Sequence, residues 1–168
     1  MLGGTRSGKS AHAEALLAGE PAVDYVATAV TDRADREWME RIAGHQARRP
    51  KAWTTVETGD VALVLAGDGP AVLVDSVTAW LTRAMDESHA WTRGRSERLT
   101  ERVDEFLEAW RLTDRRVVLV SDEVGLGVVP ETPAGRLFRD ALGALNQRLA
   151  AEADEVVIVV AGLPLRLR

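Results

Sequence analysis

Residues Gly3 to Ser10 read GGTRSGKS and meet the spacing G-x-x-x-x-G-K-[ST] at every position. No other stretch constrains this chain as strongly. A loop of this kind closes around phosphate because its glycines let successive backbone N–H groups point inward, where a Cβ would obstruct the approach. Gly3, Gly4 and Gly8 supply that freedom, and Thr5, Arg6 and Ser7 complete the turn. Lys9 brings a mobile positive charge, and Ser10 is placed to put a hydroxyl on Mg²⁺. The following residues, AHAEALLAG, predict a helix ending at Gly19, with its positive end on the same phosphates. The competing reading is a Gly-rich turn capped by Ser; the helix that follows favours the phosphate cradle.

Such a loop follows a buried strand of about five apolar residues. Here only Met1 and Leu2 precede Gly3. The first strand is therefore expected to be truncated, with the start codon read too far downstream. The 168 residues suit one domain, residues 1–168, with a substantial core. A net charge of −5 gives no electrostatic case for nucleic acid or an anionic membrane. No cysteine is present, which removes disulfides, thiolate nucleophiles and cysteine-ligated metals. No apolar run has the roughly 18 to 20 residues of a membrane span, and no signal-peptide pattern opens the chain, so a cytoplasmic protein is expected.

Along the chain, strand-type and helix-type segments alternate. Val23 to Thr28 (VDYVAT) predicts a strand that ends in small and hydroxyl residues, Ala27 to Ala29, with Thr28 between them, a candidate pocket wall. A helix capped by Asp32 or Asp35 is expected through REWMERIAGHQARR until Pro50 stops it, with Trp38, Ile42 and His45 on one face. WTTVE predicts a strand closing on Glu57, DVALVLAG a short helix, and AVLVDS a buried parallel strand closing on Asp75. An acid at that position suits the magnesium shell of a phosphate-loop enzyme. TAWLTRAM is helical, HAWTRGRS a polar exposed connector, and SERLTERVDEFLEAWRL an amphipathic helix with Leu99, Val103, Phe106, Leu107 and Trp110 in one core stripe. The strand VVLVS (117–121) leads into DEVGLGVVPE, which carries Glu123, Gly125, Gly127 and Pro130. That loop is either a ligand loop at a strand end or a flexible surface turn. A helix from Ala134 to Ala153, the strand EVVIVVAG and the apolar alternation LPLRLR finish the chain. The alternation predicts an α/β fold, a mostly parallel sheet covered on both faces. His12 and His89 carry no chemistry in this reading.

His45 is different. Arg41 stands one helical turn before it and Arg48 and Arg49 one turn after. Three guanidinium groups disfavour imidazolium, so the ring is expected to be neutral and nucleophilic, while the arginines grip phosphate oxygens. A lone histidine on a charged helix is more often structural; its arginine setting argues for chemistry.

GGTRSGKS, R-I-x-x-H-x-x-x-R-P ending at Pro50, W-x-T-x-E ending at Glu57, VLVDSVTAWLT, EVGLGVVPE and RLFRDALGALNQRLAAEADEVVIVVAG together resemble one family over nearly the whole chain. It is the bifunctional adenosylcobinamide kinase and adenosylcobinamide-phosphate guanylyltransferase family of cobalamin biosynthesis. The resemblance implies a RecA-like P-loop NTPase fold and two reactions. ATP or GTP phosphorylates the aminopropanol hydroxyl of adenosylcobinamide; then a histidine, matched by His45, takes GMP from GTP and passes it to adenosylcobinamide phosphate. It maps nucleotide contacts to Gly3 through Ser10, to Thr28, Ala29 and Val30, to Gln46, Ala47, Arg48 and Arg49, and to Glu57 and Asp75. Mg²⁺ falls to Ser10 and Asp75. It also implies a homotrimer. Arg83 stands where related sequences commonly have asparagine, with no evident role. The acceptor of the hydroxyl proton is open between Glu123 and Asp75. Two other readings stay open: a small-molecule kinase in which His45 is structural, and a nucleotide-binding module without turnover.

Overall fold

The computed structural model describes residues 1–29, 40, 43–44, 49–94 and 96–168. Among them, strands alternate with helices: β1 (Leu2–Gly3), α1 (Lys9–Leu16), β2 (Val23–Ala27), β3 (Trp53–Glu57), α2 (Val61–Ala66), β4 (Ala71–Asp75), α3 (Val77–Glu87) and α4 (Ala90–Arg93). They continue with α5 (Glu97–Leu112), β5 (Val117–Asp122), α6 (Pro133–Glu152), β6 (Val157–Val160) and β7 (Leu163–Arg166). The strands form one sheet in the order β3-β2-β4-β5-β1-β6-β7, parallel except for the β6–β7 hairpin. This is the mostly parallel α/β sheet expected.

Strand alternation splits the core between two faces. Val72 and Val74 of β4, with Val26 and Leu119, meet Trp80, Leu81, Met85, Phe106, Leu142 and Leu145 of α3, α5 and α6. Ala71 and Leu73 turn the other way, toward Ala13, Leu17, Val23, Tyr25, Trp53 and Val120. Polar side chains set the helix starts: Asp60, Ser76, Ser96 and Thr132 each accept from a backbone N–H in the following first turn.

Two sequence expectations shift. Helix α1 ends at Leu16, three residues before Gly19. Residues 89–96, expected as an exposed connector, include the short helix α4, because Ala90 is fully buried and Trp91 packs toward Phe138, ring centroids 6.0 Å apart. Strand β1 pairs with β5 and β6 through two residues, Leu2 and Gly3. At the amino ends of β5 and β6, away from the loop that follows β1, lies a cavity of about 500 Å³ lined by Met1, Trp110, Val117, Leu119, Leu149 and Val157 among others.

Trp80 anchors the larger core. Its ring is buried, lies 4.7 Å from that of Phe106, and donates Nε1–H to the Gly59 carbonyl at 3.0 Å. Arg102 also donates to Gly59 O, so loss of the indole leaves that carbonyl paired and the cost is packing. Trp80→Ala is expected to lower stability by roughly 3–5 kcal/mol in a denaturant titration. A loss under about 1 kcal/mol would mean that the site collapses around the change.

Candidate active site

The carboxyl ends of the parallel strands bring the separate motifs to one edge. Gly3 is level with Asp122, and Ala27 is level with both Glu57 and Asp75. Ligands of open α/β sheets bind along this edge.

Between β1 and α1, residues 4–8 form the expected loop. A Cβ on Gly3 would lie 2.5 Å from Ser7 Oγ and 2.7 Å from the Val159 carbonyl, so only glycine fits. Gly8 sits at φ 95° as the residue before α1, and no side chain caps that helix there. Ser7 Oγ accepts from Lys9 N at 3.4 Å, and a helix start of this kind suits an anion. At Gly4 a Cβ would meet no protein atom within 4 Å, and the other left-handed residue of the loop is Arg6, at φ 57°. Thr5 and Arg6 are exposed, while Ser7 is buried and its carbonyl accepts from Gly162 N at 2.8 Å. The β6–β7 turn thus braces the loop from below.

Lys9 does not point into open solvent. Its Nζ lies 2.6 Å from Asp122 Oδ1 and 3.3 Å from the Gly4 carbonyl, with 12% of the side chain exposed. Asp122 is held in turn through its backbone: Thr78 Oγ1 accepts from its N–H at 2.8 Å, and Asn146 Nδ2 donates to its carbonyl at 3.0 Å. Asn146 also accepts from the buried Ser121 hydroxyl at 2.7 Å. This network ties β5 to α3 and α6 and fixes the lysine's counter-ion. Sequence reading missed Asp122 by closing the strand at Ser121, although an acid ending an apolar run is the same signal that marked Asp75. A triphosphate must draw Lys9 from this carboxylate. Asp122→Asn should therefore bind nucleoside triphosphate about 3- to 30-fold tighter without Mg²⁺, or about 0.7–2 kcal/mol. Weaker binding by calorimetry would mean that the carboxylate's main role is to hold the lysine in reach.

Asp75 ends β4, and its Oδ2 accepts from the Tyr25 hydroxyl at 2.6 Å. Burial first, then the nearby Asp75 charge, pushes the Tyr25 pKa far up, so the phenol remains a donor. The Arg49 guanidinium stacks 3.2 Å from the centre of the same ring and donates to Thr55 Oγ1 at 3.3 Å. Arg49 is the member of the arginine-flanked histidine segment that falls among the described residues. Val30, His45, Gln46, Ala47 and Arg48 lie outside them.

The remaining predicted residues occupy the same edge in different ways. Ser10 lies in the first turn of α1, half-buried. Thr28 is fully buried, and its hydroxyl both donates to Ser76 O at 2.7 Å and accepts from Ser76 N at 3.0 Å, which ties β2 to the end of β4. Ala29 follows it, half-buried, and Glu57 is exposed at the end of β3. Glu123 turns back on its own loop, its Oε1 accepting from Gly125 N at 2.6 Å while its N–H donates to the Gly3 carbonyl. Arg83 gains an account: it pairs with Glu87 at 2.8 Å and lies against Gly59, where a Cβ would come within 2.5 Å of its Nε.

The donor set fits magnesium. Ser10, Asp75 and Asp122 offer hard oxygen atoms, and no group of three or more His, Cys, Asp or Glu suited to a metal occurs among the described residues. Mg²⁺ that arrives on phosphate oxygens and keeps several waters needs no all-protein cage.

Comparison with known proteins agrees with this geometry. Residues 1–167 match the family model described as cobinamide kinase / cobinamide phosphate guanyltransferase. The chain is 38% identical to the bifunctional adenosylcobalamin biosynthesis protein CobU of Salmonella typhimurium, covering all of this chain and 98% of that protein. It is 36% identical to the Escherichia coli K12 protein of the same name, again over all of this chain and 98% of the other. With the Pseudomonas aeruginosa protein CobP it shares 40% identity over all of this chain and 95% of the relative. A phosphate loop with its lysine in place, acids level along one sheet edge and a match over nearly the full length lead to one statement: this chain belongs to the cobinamide kinase / cobinamide phosphate guanyltransferase family.

Proposed function

We propose that this chain carries out both transfers of its family: phosphorylation of the aminopropanol hydroxyl of adenosylcobinamide, then guanylylation of the resulting phosphate through a histidine-bound GMP. The observation that carries the reading is the loop between β1 and α1, with Lys9 stretched across it to Asp122 and Asp75 level on the same edge.

In the first step the loop N–H groups and the start of α1 hold the nucleotide phosphates, and Lys9 moves from Asp122 to the charge that grows on the transferred group. Ser10 and Asp75 would hold Mg²⁺, which would supply further charge neutralisation there. Glu123, folded onto Gly125, is poorly placed to accept the hydroxyl proton, and a loose transition state asks little of a base. In the second step a His45 ring nitrogen attacks the α-phosphorus of GTP, the bond to the β-phosphate oxygen breaks, and pyrophosphate leaves. An oxygen of the corrinoid phosphate then displaces the imidazole and gives adenosylcobinamide-GDP. Arg41, Arg48 and Arg49 keep the imidazole uncharged and offset the negative charge at phosphorus. We further propose a homotrimer working in the cytoplasm, which sedimentation and fractionation test; among the described residues no helix is long and apolar enough to cross a membrane.

Two radiolabels test the enzymatic reading. The γ-label of ATP or GTP is expected on adenosylcobinamide, and the α-label of GTP is expected on the protein, released when adenosylcobinamide phosphate is added. Transfer of the γ-label alone would leave a small-molecule kinase, and transfer of neither would leave a nucleotide-binding module.

A further inference from the structure

Tyr25 occupies a position that neither the phosphate loop nor the family motifs single out. It lies in the middle of β2, registered with Leu73 on one side and Thr55 on the other, and its ring is buried with Leu17, Val23, Trp53 and Leu73. Phenylalanine would pack there equally well, so the hydroxyl requires its own explanation. It reaches along the strand to Asp75, two residues beyond its registered partner, and donates to Oδ2 at 2.6 Å. Over the face of the same ring sits the Arg49 guanidinium, 3.2 Å from its centre. Among the described residues Arg49 Nε is buried with no hydrogen-bond partner, and stacking and the Thr55 contact hold this arginine in place. One side chain therefore touches both the acid at the end of β4 and the last arginine of the histidine segment, residues 26 positions apart in the chain.

We propose that Tyr25 is a positioning residue shared by the two transfer steps: its hydroxyl sets the orientation of the Asp75 carboxylate toward the metal–nucleotide, and its ring seats Arg49 beside the nucleotide phosphates. The inference rests on the reading of Asp75 as a magnesium-shell acid. A carboxylate with one oxygen tied by a rigid phenol has lost the rotation that would otherwise accompany each binding event, and a cation stacked on a fixed ring is held in place by that ring.

The test uses Mn²⁺ as the probe, its affinity read by electron paramagnetic resonance on the full chain with β,γ-imido-GTP, beside thermal unfolding. Tyr25→Phe keeps the ring and is expected to weaken Mn²⁺ about tenfold with an unfolding midpoint near that of the unaltered protein. Asp75→Asn serves as the reference for the reading beneath. If Asp75→Asn weakens Mn²⁺ and Tyr25→Phe does not, the role given to the hydroxyl is overturned. If neither does, the Asp75 reading itself fails. Tyr25→Leu removes the ring as well and is expected to slow α-label transfer to the protein about tenfold beyond Tyr25→Phe at saturating metal. Equal rates in the two folded variants would overturn the seating of Arg49; should Tyr25→Leu not fold, Arg49→Lys, which forfeits planar stacking, takes its place with the same expectation.

Discussion

His45→Ala is expected to abolish the α-phosphate label on the protein, by on the order of 10³-fold or more, because no other residue in the proposal forms a bond to phosphorus. The effect follows from the chemistry of the intermediate. A phosphoramidate is acid-labile and base-stable, so the label on the unaltered chain should vanish in acid and survive alkali, and the variant should carry none. Phosphoryl transfer from the γ-position forms no bond to imidazole and should fall far less. The decisive quantity is the ratio of the two losses. Equal losses would place His45 in nucleotide binding rather than in covalent catalysis, and an undiminished α-label would assign the nucleophile elsewhere.

Lys9→Ala should reduce γ-phosphate transfer by about 10² to 10³-fold, the usual cost of deleting one preorganised charged donor from a phosphoryl-transfer site. The lysine is poised for this: it is largely shielded from water, and its ammonium already spans from Gly4 O to Asp122. Its removal also strands Asp122 beside the phosphates, so part of the loss is repulsion. The double variant Lys9→Ala/Asp122→Asn separates the two contributions. Recovery of about tenfold relative to Lys9→Ala would identify the repulsive part. If Lys9→Ala alone loses less than about tenfold, the loop binds nucleotide chiefly through its backbone and α1.

Much of this molecule is legible in its amino-acid sequence. The loop from Gly3 to Ser10, the strands ending at Glu57 and Asp75, and the core stripe of Leu99, Phe106 and Leu107 depend on local spacing, and the fold places them as their periods require. The hidden parts were those in which a local signal competes with a distant one. Residues 89–96 look polar, yet Ala90 and Trp91 find apolar neighbours on α6. Nothing local marks Arg6, a residue other than glycine, as the left-handed position that the loop uses beside Gly8. Thr28 ends its strand in a hydroxyl, and only the fold shows that hydroxyl bonded to Ser76. Arg83 looks like an unexplained charge until Glu87 and Gly59 are beside it.

The amino-acid sequence determined that a phosphate cradle opens the chain, that an alternation of strands and helices follows, and that an arginine-flanked histidine is available, because each of these is written in neighbouring residues. Only the tertiary structure decided which acid meets Lys9, that Tyr25 joins Asp75 to Arg49, and that the Gly162 turn supports the loop. Those contacts cross tens of residues and are created by strand order and register, which emerge when the two faces of the sheet are buried together.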